Sequence, residues 1–380
     1  MSARGGAENA SAAADPLAQD RRFMALALTL GRRGLGRTWP NPAVGAVIAK
    51  GGILVGRGWT QPGGRPHAEI EAIGRAAAAA RGATLYVTLE PCSHHGKSPP
   101  CADAVIAAGL ARVVSALEDP NPEVAGAGHA RLRAAGIAVD IGIGAEEARR
   151  DHAGHIRRIR EGRPQVMLKL AISADGKVGA AGRRPVAITG EAVRDRVHLL
   201  RAQSDAVMVG IGTVLADDPL LTCRLPGMAG CSPVRIVLDS ALRLPLASRL
   251  VQSARETPVW VVAGSAAPPA AAQALQAHGV EVLPAKGRDG RLDLADVLKS
   301  LAARGITRLM LEGGPTLAAA FVAADLVDEA NLFHSSKLLG PDGIDALEGL
   351  PLTALTQSPR LQSIASAAVG ADTLAVLARR

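Results

Sequence analysis

His67-Ala68-Glu69, followed downstream by Pro91-Cys92-Ser93-His94-His95-Gly96-Lys97-Ser98-Pro99-Pro100-Cys101, is the stretch that decides the reading of this chain. Zinc takes soft or borderline ligands in a tetrahedral array, and a catalytic site uses three protein ligands plus water. His67, Cys92 and Cys101 supply such a set. Cys101 opens a run of helical spacing, where the positive end of the helix dipole favours the thiolate a metal requires. Glu69 lies two residues beyond His67, so it can reach a water on the metal without being a ligand and shuttle its proton. His-x-Glu with Pro-Cys-x-x-Cys is the zinc deaminase pattern, but here eight residues separate the cysteines. Taken singly, the cysteines read as small core residues and His67 as a surface-loop histidine; together the three residue types favour zinc. His94 and His95 stand as alternatives to a cysteine ligand, or as solvent-facing histidines of a Gly/Pro loop.

Outward from this stretch, short apolar runs alternate with Ala-rich amphipathic ones. Ala43–Ala49, Ile53–Gly56, Thr84–Leu89, Arg112–Leu117 and Ile137–Gly142 read as strands. Ala68–Arg81, Ala102–Gly109 and Ala127–Gly136 read as helices, and Phe23, Leu26, Ala27 and Leu30 recur at helix spacing before them. Such alternation predicts a largely parallel sheet flanked by helices. A charged segment, residues 145–163, reads as a helix leading into a linker. A second α/β series begins at Val166–Ser173 and runs to Ala330–His334. The expected division is a disordered tail over 1–16, one domain over 17–162 and another over 163–380.

Composition agrees with two domains: 380 residues, at roughly 150 per domain, with 48% hydrophobic and 21% charged residues. Global disorder is thereby excluded. Only 2% of residues are aromatic, too few for stacking on single-stranded bases. The net charge of +8 is carried almost entirely by Arg, with seven Lys; Arg suits bidentate contacts to phosphate. Four cysteines make no disulfide framework, the N-terminus lacks an apolar signal region, and no run reaches about 20 apolar residues. The expected setting is the reducing cytoplasm, with no membrane partner.

The second half has no Gly-x-Gly-x-x-Gly after a strand. It offers instead Leu311-Glu312-Gly313-Gly314-Pro315-Thr316 and Gly210-x-Gly212-Thr213, each a strand end running through glycines into a helix. Backbone N–H groups of such turns can approach a phosphate, and two of them on adjacent parallel strands make a dinucleotide site.

Several motifs carry a family resemblance. Pro40-Asn41-Pro42-x-Val44-Gly45, His67-Ala68-Glu69, Thr88-Leu89-Glu90-Pro91-Cys92-Ser93-His94, Pro99-Pro100-Cys101 and Asp119-Pro120-Asn121-Pro122 resemble the deaminase half of the bifunctional riboflavin-biosynthesis deaminase–reductases, the RibD family. The long gap between cysteines is characteristic of that family. Lys169-Leu170, Ser173-x-Asp175-Gly176-Lys177, Leu200-Arg201, Thr213-Val214-x-x-Asp217-Asp218-Pro219-x-Leu221-Thr222, Asp239-Ser240 and the Glu-Gly-Gly-Pro-Thr run resemble its reductase half. The resemblance spans residues 17 to 378. It implies a cytidine-deaminase-like three-layer α/β/α domain followed by a dihydrofolate-reductase-like α/β domain.

By the same resemblance, His67, Cys92 and Cys101 bind one zinc per chain and Glu69 is the proton shuttle. Asn41, Pro185, Arg201, Leu221, Arg224 and Glu312 contact substrate, the arginines at its phosphate. Ala171, Ala187, Thr213, Asp217, Ser240, Gly314, Pro315, Thr316 and Leu317 lie along NADPH, and Lys169 and Asp175 are candidates for electrostatic help at the reacting carbon. The implied substrate is a diamino-pyrimidinone carrying a ribosylamino 5-phosphate, deaminated first and then reduced from ribosyl to ribityl. A homo-oligomer is expected, with no nucleic-acid partner. Two positions depart from the family: where it often has Gly-Glu-Ser-x-Trp-Ile-Thr, this chain puts Pro185 for the Ser and Ala187 for the Trp. His334-Ser335-Ser336-Lys337 replaces the usual Ala-Pro-Lys run. Cys223 and Cys231 read as free thiols. The competing reading is a tRNA or DNA base deaminase with an accessory C-terminal binding module; few aromatics and no concentrated basic tract count against it.

Overall fold

The computed structural model describes residues 15–94, 99–122, 124–183, 186–288 and 290–379. Their contacts divide into two compact units. One holds the residues up to Arg33, Val44–Thr60 and Pro66–Arg150; the other holds Gly34–Ala43, Gln61–Arg65 and Asp151 onward. Most of the expected tail, 1–14, lies outside the described residues. Its last two residues open a helix instead: Asp15 accepts a hydrogen bond from Leu17 N at 3.0 Å, and Pro16 takes the first helical position of Pro16–Gly31, where its fixed φ suits the turn.

In the first unit the strand order is Ile53–Trp59, Gly45–Lys50, Thr84–Val87, Arg112–Ser115, Ala138–Ile141. The sheet is mixed rather than largely parallel. Gly45–Lys50 pairs antiparallel with both of its neighbours, and only the last three strands run parallel. The reason lies in the connection Gly51-Gly52, both at positive φ, which makes a tight hairpin that a parallel crossover could not use. Side chains alternate across a strand. Gly45 faces Ala27 of the first helix so closely that a Cβ would stand 1.8 Å from its carbonyl oxygen. Ala46 and its partner Gly58 face the opposite way, where Gly58 meets Ala68 of the helix Ala68–Ala76. Helices therefore cover both faces, giving the three layers.

Among the described residues, the sheet of the second unit has nine strands, in the order Glu281–Ala285, Val259–Gly264, Val234–Leu238, Ala206–Gly210, Arg308–Leu311, Gln165–Ile172, Glu329–His334, Asp372–Arg379, Leu361–Val369. The first seven pair in parallel, and the last two add antiparallel as a C-terminal hairpin. Apolar side chains fill both faces: Val166, Leu168 and Leu170 join one core, Met167 the other. Period two puts Lys169 and Ala171 on the Met167 side, which fixes where the cleft will lie. The charged segment 145–163 forms two helices, Ala145–Asp151 and Ala153–Glu161, interrupted at His152 and ended by Gly162 at φ 65°. Among the described residues no helix is long and apolar enough to cross a membrane.

Asp328 anchors this unit. Its buried carboxylate takes two bonds from Arg163, at 2.6 and 2.9 Å, and one from Val166 N at 2.9 Å. Arg157 Nε and Arg379 Nε stand 3.3 and 3.2 Å away. Removing one partner from a buried ionic cluster leaves uncompensated charge and costs about 3–5 kcal/mol. Asp328→Asn is expected to destabilise the second unit by that amount in urea unfolding; a loss under about 1 kcal/mol would place the cluster among weak surface pairs.

Candidate active sites

The zinc ligand set is assembled from three places. His67 caps the helix Ala68–Ala76, Cys101 is the first residue of the helix Cys101–Ala107, and Cys92 sits in a turn outside helix and strand. His67 Nδ1 lies 3.3 Å from Cys101 Sγ and 3.7 Å from Cys92 Sγ, and all three ligand atoms fall within 4.8 Å of one another. A tetrahedral zinc with N at about 2.0 Å and S at about 2.3 Å spaces its ligand atoms roughly 3.5–3.8 Å apart, so the donor set fits the metal. His94 is not part of the cluster, and His95 lies outside the described residues.

Glu69, the second residue of its helix, is 4% exposed. Burial lifts its carboxyl to about 7, against the pull of the His67 imidazole. A carboxyl so placed can both accept and release a proton near neutrality. The Cys101 thiol, hydrogen-bonded to Cys92, brings the Cys92 thiol down to about 4; Cys101 itself is pushed up by the same bond and by burial.

Cys92 is held by the start of the helix Cys101–Ala107. Cys101 N donates to its Sγ at 3.3 Å, and Ala102 N to its carbonyl at 3.1 Å. Just before it, the buried Glu90 carboxylate accepts from Asp119 N and Gly126 N, both at 2.9 Å, and from His129 N at 3.1 Å.

In the second unit a cavity of about 430 Å³ opens at the carboxyl ends of the parallel strands. Ala171, Thr213, Asp217, Leu221 and the run Gly314–Leu317 line it, with Gly210 and Gly212. Gly314 N donates to Thr213 Oγ1 at 3.1 Å, tying the two glycine turns together. At Gly212 a Cβ would meet only open space, so the backbone there is approachable. Gly314 caps the helix Pro315–Ala323, whose N-terminus favours an anion. These features fit the phosphates of a dinucleotide. A second cavity of about 330 Å³ is lined by Ala187, Arg194, His198 and Arg224, and shares Lys169, Arg201 and Glu312 with the first.

Those three shared residues form the charged floor. Arg201 Nε and Nη2 donate to the two oxygens of Glu312 at 2.9 and 2.8 Å, and Nη1 donates to Thr222 O at 3.1 Å. Lys169 Nζ lies 3.7 Å from Glu312 Oε1. Burial pushes Glu312 up, but Arg201 and Lys169 overcome it and leave it below the usual carboxylate range. Burial lowers the Lys169 ammonium, partly offset by Glu312. Leu221 adopts φ 56°, a left-handed conformation that costs a leucine strain and turns Thr222 O toward Arg201.

Two family descriptions match: "Cytidine and deoxycytidylate deaminase zinc-binding region" over residues 17–117, and "RibD C-terminal domain" over 164–375. The riboflavin biosynthesis protein RibD of Escherichia coli (strain K12) is 44% identical over 345 residues, covering 87% of this chain and 92% of that one. The solved structure of Acinetobacter baumannii RibD, form 1, superposes with a TM-score of 0.85 at 36% identity, covering 96% of this chain and 99% of that one. A Thermotoga maritima structure, described as a diaminohydroxyphosphoribosylaminopyrimidine deaminase/5-amino-6-(5-phosphoribosylamino)uracil reductase, gives 0.83 at 35% identity over 96% and 100%.

The chain belongs to the RibD family. It is a bifunctional enzyme of riboflavin biosynthesis, a deaminase whose domain binds zinc and a reductase that uses NADPH. Several of the residues singled out in the RibD sequence motifs lie elsewhere. Asp175 accepts from Ser173 Oγ at 2.6 Å and Gly340 N at 2.7 Å, is pulled to about 2 chiefly by that hydroxyl, and does not line either cavity. Ser240 follows the strand Val234–Leu238 and lines neither cavity. Asn41 Nδ2 donates to Gly64 O at 2.8 Å within the second unit. Pro185 lies outside the described residues. Arg194, His198 and Glu90 were not read as site residues. Arg194 and His198 precede Arg201 by about two turns and one turn of the same helix, and this spacing was the available signal.

Proposed function

We propose that residues 17–162 hydrolyse the 2-amino group from 2,5-diamino-6-(5-phosphoribosylamino)pyrimidin-4(3H)-one. Residues 163–380 then reduce the ribosyl side chain, giving 5-amino-6-(5-phosphoribitylamino)uracil. The observation that carries the reading is the convergence of His67, Cys92 and Cys101 beside the buried Glu69. His67, Cys92 and Cys101 would hold the zinc, which when bound would make water a nucleophile near neutral pH. Glu69 would take a proton from the attacking water and return it to the departing amino group, so that ammonia leaves neutral.

In the reductase, Ala171, Ala187, Thr213, Asp217 and Gly314–Leu317 would flank NADPH, which when bound would supply hydride, the receiving atom being C1′ of the opened sugar. Lys169 lends positive charge at that carbon. Glu312 fixes Arg201 and Lys169; Leu221 borders the substrate. Arg224 is exposed, and among the described residues no carboxylate pairs with it, which supports it as the cation open to the substrate phosphate. The enzyme acts as a homo-oligomer on a small molecule rather than nucleic acid, in the reducing cytoplasm, a setting supported by cysteines that form no disulfide among the described residues.

The test is one assay on the diamino-pyrimidinone phosphate. Ammonia is expected without NADPH, and equimolar NADPH oxidation follows when it is added. A zinc chelator is expected to abolish ammonia release while NADPH oxidation continues on substrate already deaminated. Ammonia release that survives complete zinc removal overturns the metal assignment, and deamination of RNA instead of the pyrimidine overturns the substrate.

A further inference from the structure

We propose that Glu90 is a positioning residue for deamination: its carboxylate holds the Cys92 turn in place against the segment Asp119–His129, and so sets the geometry of the metal centre. Two of the three ligands gain position from regular structure, since His67 caps one helix and Cys101 begins another. Cys92 has no such frame, because Glu90, Pro91 and Cys92 belong to neither helix nor strand. A ligand on a turn takes its position from bonds made by its neighbours.

Helix Cys101–Ala107 supplies one side through Cys101 N and Ala102 N. Glu90 supplies the other. Its Oε2 accepts from Asp119 N and Gly126 N, and its Oε1 from His129 N. The three donors span the loop from the end of the strand Arg112–Ser115 to the first turns of the helix Ala127–Ala134. One side chain thus grips both ends of that loop. The same helix presses on the backbone next to Cys92: a Cβ on Gly128 would stand 2.1 Å from Pro91 O and 3.0 Å from Glu90 Oε1. Only a carboxylate answers three N–H groups with acceptors alone. A carboxamide turns one oxygen into a donor and leaves at least one buried N–H opposed, whichever way it flips.

The inference rests on the deaminase reading, which ammonia release by the unaltered chain tests by itself. Glu90→Gln is compared with the unaltered chain by two measurements: the rate at which a chelator strips zinc, and kcat and KM for ammonia release with zinc in excess. Stripping is expected to be about 10- to 100-fold faster, and kcat lower by a similar factor with KM little changed, as for residues that orient metal ligands. A merely stabilising role would leave kcat intact in the zinc-saturated folded chain. If Glu90→Gln does not accumulate as folded protein, Gly128→Ala decides by the same two readouts, since it pushes the same contact from the opposite side. Stripping rates and kcat within twofold of the unaltered chain overturn the proposal.

Discussion

Glu69→Gln is expected to cut ammonia release by about 100- to 10,000-fold, the usual contribution of a positioned acid–base group, while zinc content stays at one per chain. Glutamine keeps the size of the side chain but can neither take a proton from water nor return it to the leaving amine. Glu69 is 4% exposed and its carboxyl is lifted by burial to about 7, so the native residue is poised for both transfers. NADPH oxidation on a substrate already deaminated is expected to be unaffected, because Glu312, Lys169 and Arg201 lie in the second unit. The measurement is ammonia release at saturating substrate beside elemental zinc analysis. Retention of a tenth or more of the rate with zinc in place removes Glu69 from the proton path.

Glu312→Gln is expected to have the converse effect: NADPH-dependent reduction falls about 100- to 1,000-fold, the range for removing one preorganised charge from a site, and ammonia release is unchanged. Glu312 is the shared counter-ion of Arg201 and Lys169. Without it two cations share a buried floor, and neither keeps its position. Because the three act as one network, Arg201→Met combined with Glu312→Gln is expected to lose less than the two single changes together. A reduction rate within threefold of the unaltered chain, or strict additivity in the double variant, would show that the floor is structural.

The zinc centre was legible in the sequence because its chemistry is carried by residue types that have few other uses in that combination. His67, Cys92 and Cys101 converge beside the buried Glu69, although the eight residues between the cysteines depart from the general deaminase pattern. Glu90 was not legible. Its role is a set of bonds to backbone N–H groups more than 25 positions away, and backbone donors leave no residue signature. Arg201 lies in an Arg-rich helix that reads as a solvated face, yet its side chain is only 10% exposed; the fold brings Glu312 to it across more than a hundred positions.

The sheets were legible in part. Buried parallel strands such as Ala206–Gly210 and Val234–Leu238 announce themselves as apolar runs. The edge strand Leu361–Val369 of the C-terminal hairpin does not. It is the last strand of its sheet and largely exposed, so Ala and Ser suffice and no apolar alternation marks it. The antiparallel start of the first sheet was missed because apolar runs do not carry direction; the Gly51-Gly52 turn did.

The strand Gln165–Ile172 lies between Arg308–Leu311 and Glu329–His334, so a nascent chain presents it before either neighbour exists. Until residue 311 has been made, Val166, Leu168, Leu170 and Ile172 have no sheet to join, and until residue 334 their strand remains an open edge, whereas every strand of the first unit is complete by Ile141. Contacts so remote in sequence slow folding and prolong the exposure of unpaired edges. On the ribosome the deaminase half can therefore be finished and loaded with metal while the reductase half still waits for its central strand to be flanked.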